Sequence, residues 1–308
     1  MKLKPMSLIR RDRKILQKTI SYVKRSTKAF FSTQKVNLDD FDICLISFPK
    51  CGRTWLRVMI GNVLQEHFNL AENNLLESSK LQSLPDEIPK ILVTHSDEPF
   101  WKKPEELIES KAEYQSKKAM LLVRNPKDVV VSSYFEKKKR IGFYDLEGYK
   151  SNQHMKNIIE RVKPYDGDVS NYVYEPVGSL QTIINFYNIW AKNRHVPQSF
   201  LLVRYEDLVE NTVEELKKVL EFIGLYSVSD ETIAKTVGLA SLENMKAMEK
   251  TNRFETSRLQ PADPSDPESY KVRKGKVGGF VDYLDPKEIK YCDEAIANHL
   301  SPIYRYES

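Results

Sequence analysis

Residues 47–57 read SFPKCGRTWLR and close an apolar run, FDICLISF, before a helical pattern begins. Lys50, Gly52, Arg53 and Thr54 therefore stand at the mouth of a strand-to-helix turn. Backbone N–H groups at a helix N-terminus point outward and carry roughly half a positive charge. Lys50 and Arg53 add full charges and Thr54 adds a hydroxyl, so the anion that suits this turn is a phosphate or an analogue of one. The turn is not a Walker A loop, because GxxxxGK[ST] is absent and the lysine precedes the glycine. The plain alternative is a capped turn carrying ordinary surface cations.

A second turn repeats the theme. LLVRNPKDVVVSSYF puts Arg124 at a strand end and Ser132 eight residues on. In a helix starting near Pro126, Asp128 and Ser132 lie one turn apart on one face. A guanidinium that can bind in bidentate fashion, together with a hydroxyl, again suits phosphate; pairing of Arg124 with Asp128 is the simpler option. His95 ends the apolar run ILVTHS. The ordinary histidine pKa, near 6.5, suits proton abstraction at neutral pH, and a hydrogen bond to a neighbouring carbonyl is the alternative role.

These residues need elements to hold them. DICLISF (42–48), ILVTHS (91–96), KAMLLVRN (118–125) and SFLLVRYEDL (199–208) read as strands. Helical spacing runs through 54–68, from Pro126 to Arg140, and through 211–224. Near-continuous apolar strands alternating with helices predict an α/β fold, a single domain with a central parallel sheet flanked by helices. Two long segments, 140–178 and 251–284, interrupt the alternation and read as loops that shape a site. Lys137, Lys138, Lys139 and Arg140 read as a solvated helix end, and Trp190, at helical spacing from Ile183, Phe186 and Tyr187, as core.

Together the two turns resemble the PAPS-dependent sulfotransferase family, in a bacterial-like variant of its cytosolic type. The family's 5′-phosphosulfate loop, PKSGTTW, is PKCGRTW here, and its 3′-phosphate element, RNPKDVxVSxY, is RNPKDVVVSSYF. RKGxxG appears as Arg273 to Gly278, and a strand followed by YED as Tyr205, Glu206 and Asp207. The order matches over about residues 40–300.

The resemblance implies roles. Lys50, Gly52, Arg53 and Thr54 would hold the 5′-phosphosulfate, with Cys51 contributing through its backbone and Trp55 lying against the adenine. Arg124 and Ser132 would take the 3′-phosphate, joined by Arg273, Lys274 and Gly275. Tyr205 would approach the adenine, and Ser241 and Met245 match the family's TSFxxMK stretch. His95 would be the general base, as in the family's KTHLP, although the lysine and the Leu-Pro are lost here. Lys50 would stabilise the leaving oxygen of PAP, and Ser132 completes the catalytic set. Cys51 and Arg53 replace Ser and Thr of the animal pattern, and Gly279-Phe280 replaces its Asp-Trp, so no acceptor specificity carries over. The implied function is sulfuryl transfer from PAPS to a hydroxyl or amine of a small-molecule, lipid or glycan acceptor. The rivals are a P-loop-type nucleotide kinase and a non-catalytic nucleotide-binding or membrane-surface protein.

Composition agrees with an enzyme domain. The 308 residues are 41% hydrophobic, enough for a sizeable core. No apolar run is long enough to span a bilayer, and no secretory signal is recognisable at the N-terminus. Three cysteines without a CxxC pair point to a reducing, cytoplasmic setting, and the five histidines show no metal-ligand spacing. Residues 1–36 carry eleven basic residues against one acidic, so this arm holds +10 and the domain from 37 to 308 holds −5 of the net +5. Apolar residues interrupt that charge, which suits peripheral contact with an acidic membrane surface; no nucleic-acid motif accompanies it. Oligomeric state and acceptor stay open.

Overall fold

The computed structural model describes residues 37–70, 87–143, 158–253 and 259–306. The basic arm 1–36 and residues 144–157 of the first long loop lie outside the described residues.

Four parallel strands form one sheet in the order β2-β1-β3-β4: β1 Ile43–Ser47, β2 Ile91–Thr94, β3 Lys118–Val123 and β4 Ser199–Arg204. Ile43 pairs with Ile91 on one side and with Lys118 on the other. Every residue of β1 is buried, which explains its unbroken apolar run: helices cover both faces, so neither needs polar side chains.

Helix α1, Arg53–His67, turns Leu56, Met59, Ile60, Val63 and Leu64 inward, the spacing of one helical face. Helix α2 is Pro126–Phe135, with Pro126 at its first turn and the Asn125 side chain accepting the Lys127 N–H. A single π-helical turn, Glu136–Arg140, continues it. Then come α3 Val169–Val173, α4 Leu180–Asn193, α5 Tyr205–Glu210, α6 Thr212–Phe222, α7 Asp230–Leu239, α8 Leu242–Lys250 and α9 Pro286–His299. Trp190 is fully buried in α4, as its spacing predicts.

The chain leaves β1 for β2 on one side, then crosses to β3 on the other. The strand order reverses between β1 and β3, and in open parallel sheets the crevice at such a reversal is the binding site. The two anion-suited turns leave these two adjacent strands.

Two expectations change. The fourth strand ends at Arg204, and YEDL begins α5 instead of extending the sheet. The run 137–140 is not a solvated helix end: Lys137 and Arg140 are only 5% and 1% exposed, while Lys139 stays exposed. The π turn directs these side chains inward, where Lys137 Nζ donates to the Val177 carbonyl and Arg140 Nη1 to the carbonyls of Gln260 and Ser269.

Candidate active site

A cavity of about 290 Å³ opens at the reversal between β1 and β3. The first turn supplies Lys50, Gly52, Arg53, Thr54 and Trp55 to its lining. Gly52 sits at φ +95°, and a Cβ there would lie 2.5 Å from the Tyr205 ring, so only glycine fits. Lys50 also takes a left-handed conformation, at φ 75°. Such backbone is costly for a residue with a side chain and collects at functional turns.

Cys51 points away from the cavity. It is buried, and its Sγ lies 3.2 Å from the Tyr187 hydroxyl. The same hydroxyl accepts the Arg124 N–H at 3.0 Å and donates to the Arg124 carbonyl at 2.9 Å. Because that proton is already given, the thiol is the donor to Tyr187; burial pushes the thiol pKa up to about 12, so it stays protonated. One buried hydroxyl thus ties the first turn to the second.

The second turn brings Arg124, Asp128 and Ser132 to the same cavity. Arg124 stacks over the Tyr205 ring at 4.5 Å and donates to the Lys276 carbonyl at 2.9 Å. Its Nη2 stands 3.6 Å from Asp128, a contact longer than a hydrogen bond. Asp128 instead accepts the N–H groups of Gly278 and Phe280, at 2.8 and 3.0 Å. With Tyr205 donating to the Gly275 carbonyl at 3.1 Å, these bonds fold the late basic segment over the crevice. Arg273 and Lys274 line the cavity; Arg273 meets Glu268 and the Tyr283 hydroxyl, and Lys274 meets Asp282.

Trp55 meets Tyr205 edge to face, with centroids 5.8 Å apart, and donates its indole N–H to the Ala240 carbonyl. Met245, in α8, is buried against the cavity. Ser241 does not line it: its hydroxyl accepts the Asn244 N–H as the N-cap of α8.

His95 follows β2 and faces the cavity. Its Nδ1 lies 2.8 Å from the Ser47 carbonyl, which can only accept, so Nδ1 carries the proton. That leaves Nε2 with a lone pair, and Arg53 Nη2 donates to it at 2.7 Å. Ser96 and Glu98, next along the chain, both hold left-handed backbone, at φ 61° and 50°.

Beneath the first turn sits a buried charge cluster. Lys50 Nζ contacts Glu136 Oε2 at 2.5 Å, and Lys271 Nζ contacts Glu136 Oε1 at 2.9 Å. Burial pushes the Lys50 ammonium down to about 7, against the pull of Glu136. Burial alone would raise the Glu136 carboxyl, but Lys271, Lys50 and Arg140 hold it well below the usual range. The residue types did not single out Glu136, Lys271 or Tyr187. Glu136 had a signal: Asp128, Ser132 and Glu136 are spaced four apart, one face of a continued helix.

Among the described residues no group of three or more His, Cys, Asp or Glu could hold a metal ion, and no helix is long and apolar enough to cross a membrane.

The chain matches the sulfotransferase domain family over residues 40–303 and belongs to it; it is a PAPS-dependent sulfotransferase. Cytosolic sulfotransferase 13 of Arabidopsis thaliana is 26% identical, covering 88% of this chain and 80% of its own length. Flavonol 3-sulfotransferase of Flaveria bidentis is 25% identical, covering 84% and 81%. Among solved structures, mouse sulfotransferase SULT7A1 complexed with PAP is similar in fold, with a TM-score of 0.57 and 22% identity over 86% of this chain and 87% of that one. A retinol dehydratase complex with retinol and PAP gives a TM-score of 0.57 at 16% identity, over 91% and 85%.

Proposed function

We propose that this enzyme moves the sulfuryl group of PAPS to a hydroxyl or amine of a small-molecule acceptor in the cytoplasm, with His95 as general base and Lys50 stabilising the departing PAP oxygen. The observation that carries this reading is the convergence of His95 Nε2, the Arg53 guanidinium and Lys50 on one cavity whose lining also includes Arg124, Arg273 and Lys274. A cavity so rich in cations, with Trp55 and Tyr205 as aromatic walls, fits a nucleotide bearing several anionic groups.

PAPS supplies an activated sulfuryl group. The acceptor oxygen or nitrogen must lose a proton as it attacks sulfur. His95 suits that task because the Ser47 carbonyl fixes its proton on Nδ1 and leaves Nε2 basic. Arg53 holds that nitrogen at 2.7 Å, so the guanidinium must turn toward the anionic group before His95 can accept a proton. Val93 stands where the family's KTH stretch has its lysine, and Arg53 brings a cation to the same histidine from the first turn. Negative charge then gathers on the bridging oxygen, which the Lys50 ammonium would stabilise. Arg124, Ser132, Arg273 and Lys274 are the groups assigned to the 3′-phosphate.

The assignment is tested by binding of PAP against AMP. Arg124→Ala should weaken PAP by about 1.5–3 kcal/mol, the range for a hydrogen bond to a charged group, and leave AMP nearly unchanged. Equal affinity for PAP and AMP in the parent protein would overturn the 3′-phosphate site. Transfer itself is read by mass spectrometry as +SO₃ on members of a phenol, aliphatic alcohol and amine panel.

A further inference from the structure

The turn after α2 holds a carboxylate that the proposed reaction does not use. Glu136 does not line the cavity; Lys50 and Lys271 do, and both contact Glu136. The carboxylate therefore lies outside the cavity and pairs with two lysines of its lining. Arg140 Nε approaches the same Oε2 that Lys50 contacts, at 3.5 Å. Arg140 Nη1 also stands 3.6 Å from Glu249, whose carboxylate accepts the N–H groups of Lys271 and Val272. Glu136, Arg140 and Glu249 are almost wholly buried. Among the described residues Lys50, Lys271 and Arg140 thus gather around Glu136, with Glu249 beside Arg140.

We propose that Glu136 is a positioning residue for the anion site: a resident counter-anion that aims Lys50 and Lys271 at the bound 5′ group and, by its charge, sets the pH range over which that group is held. This rests on the reading of Lys50 as a ligand of the 5′-phosphosulfate. The physical reason is the cost of burying an ammonium without a partner. Lys50 meets Glu136 and Arg140 from the π turn, Lys271 from the late segment and Glu249 from α8, while Arg53 lies on the cavity side. Of these only the carboxylates favour its charged form. An incoming phosphate adds negative charge beside Lys50 and favours its protonated form in the complex.

The sign follows. In the free protein Lys50 loses its proton above about pH 7. In the complex its pKa is higher, so the Lys50 contribution to anion affinity is full below about pH 7 and is lost as pH rises above it. Removing the Glu136 charge lowers the free-state pKa and moves the fall to lower pH. Removing Lys271, a like charge, moves it to higher pH.

The test is calorimetric titration of PAP and of AMP, from pH 6 to pH 9, into the full chain and its Glu136→Gln and Lys271→Met variants. Both ligands carry a 5′-phosphate, so both read the onset. In Glu136→Gln the loss relative to the parent should grow about fivefold to tenfold between pH 6 and pH 8, since one pKa unit is a factor of ten. In Lys271→Met, weaker overall, the onset should move upward. A uniform loss at every pH, an unchanged onset in Glu136→Gln, or shifts in the same direction in both variants would overturn the role given to Glu136. If Glu136→Gln does not fold, an upward onset in Lys271→Met supports the cluster, and an unchanged onset there overturns it. A parent protein that binds PAP no better than AMP instead sinks the 3′-phosphate assignment, and the onset stays readable with AMP.

Discussion

Arg53 Nη2 donates to His95 Nε2 at 2.7 Å, so the nitrogen assigned to take the acceptor's proton is held by a guanidinium from the phosphate turn. A group that binds anions and a group that accepts protons are thereby linked. Both cannot be at work in this arrangement; on the proposed reading an anion in the cavity would draw Arg53 away.

Arg53→Met should therefore weaken binding of PAPS by about 1.5–3 kcal/mol through loss of a charged donor. It should also lower the rate of transfer at saturating PAPS, because the transferring group loses one of the cations assigned to it. Single-turnover rates and PAPS titration measured side by side check this; a variant with parent affinity would show that Arg53 serves His95 alone.

Tyr187→Phe keeps the ring and deletes the hydroxyl shared by Cys51 and Arg124. The Arg124 N–H and the Cys51 thiol then lose a buried partner, at a cost of about 1–3 kcal/mol. Urea denaturation should show that loss. PAP affinity should fall with it, because the two turns are no longer fixed to each other; unchanged PAP affinity would make Tyr187 a packing residue only.

Lys137 offers a pH test of the fold. It is buried among Phe100, Trp101 and Tyr172, with its ammonium 4.8, 5.0 and 5.4 Å from their ring centroids. Burial pushes its pKa down to about 7, from about 10.5 for a free lysine. Between these values the unfolded chain binds more protons than the folded one, so this group makes stability rise with pH across the window and not fall. Lys137→Met removes the rise. Its stability–pH slope from pH 7.5 to 9.5 should be smaller than the parent's by up to about 1.4 kcal/mol per pH unit. Equal slopes would mean that Lys137 stays charged in the folded protein.

Much of the frame was legible because its physics is local. The four strands are apolar runs, and the strand-to-helix turns announce themselves by Pro49, Gly52, Asn125 and Pro126. The anion-suited residues were legible for the same reason, since charge and backbone freedom fall together within a few positions. YEDL misled because Tyr205 continues the period of Leu201 and Val203, while Tyr205 and Leu208 are the buried residues of a helical turn. EKKKR misled more deeply. A run of charges reads as solvated unless partners are known, and those of Arg140, the carbonyls of Gln260 and Ser269, come from 120 and 129 residues away. Tyr187 shares the helical spacing that marks Trp190 as core, but the work of its hydroxyl depends on two turns that only the tertiary structure brings to it. Ser241 shows the reverse: it matches a family stretch, yet its hydroxyl caps a helix.

The central claim is that His95 accepts the acceptor's proton while taking no part in holding the nucleotide. The most direct measurement compares His95→Asn with the parent protein, by single-turnover transfer from PAPS and by PAP titration, once the acceptor panel has yielded a substrate. Asn keeps a polar group near the Ser47 carbonyl and Arg53 but removes the base. General-base catalysis is worth about 10²- to 10⁴-fold, so transfer should slow by that order. PAP affinity should stay within about threefold, under roughly 1 kcal/mol. Transfer at near-parent rates from about pH 6 to 8, the range around the ordinary histidine pKa, would contradict the account and move the search for the base to the carboxylates of Asp97 and Glu98.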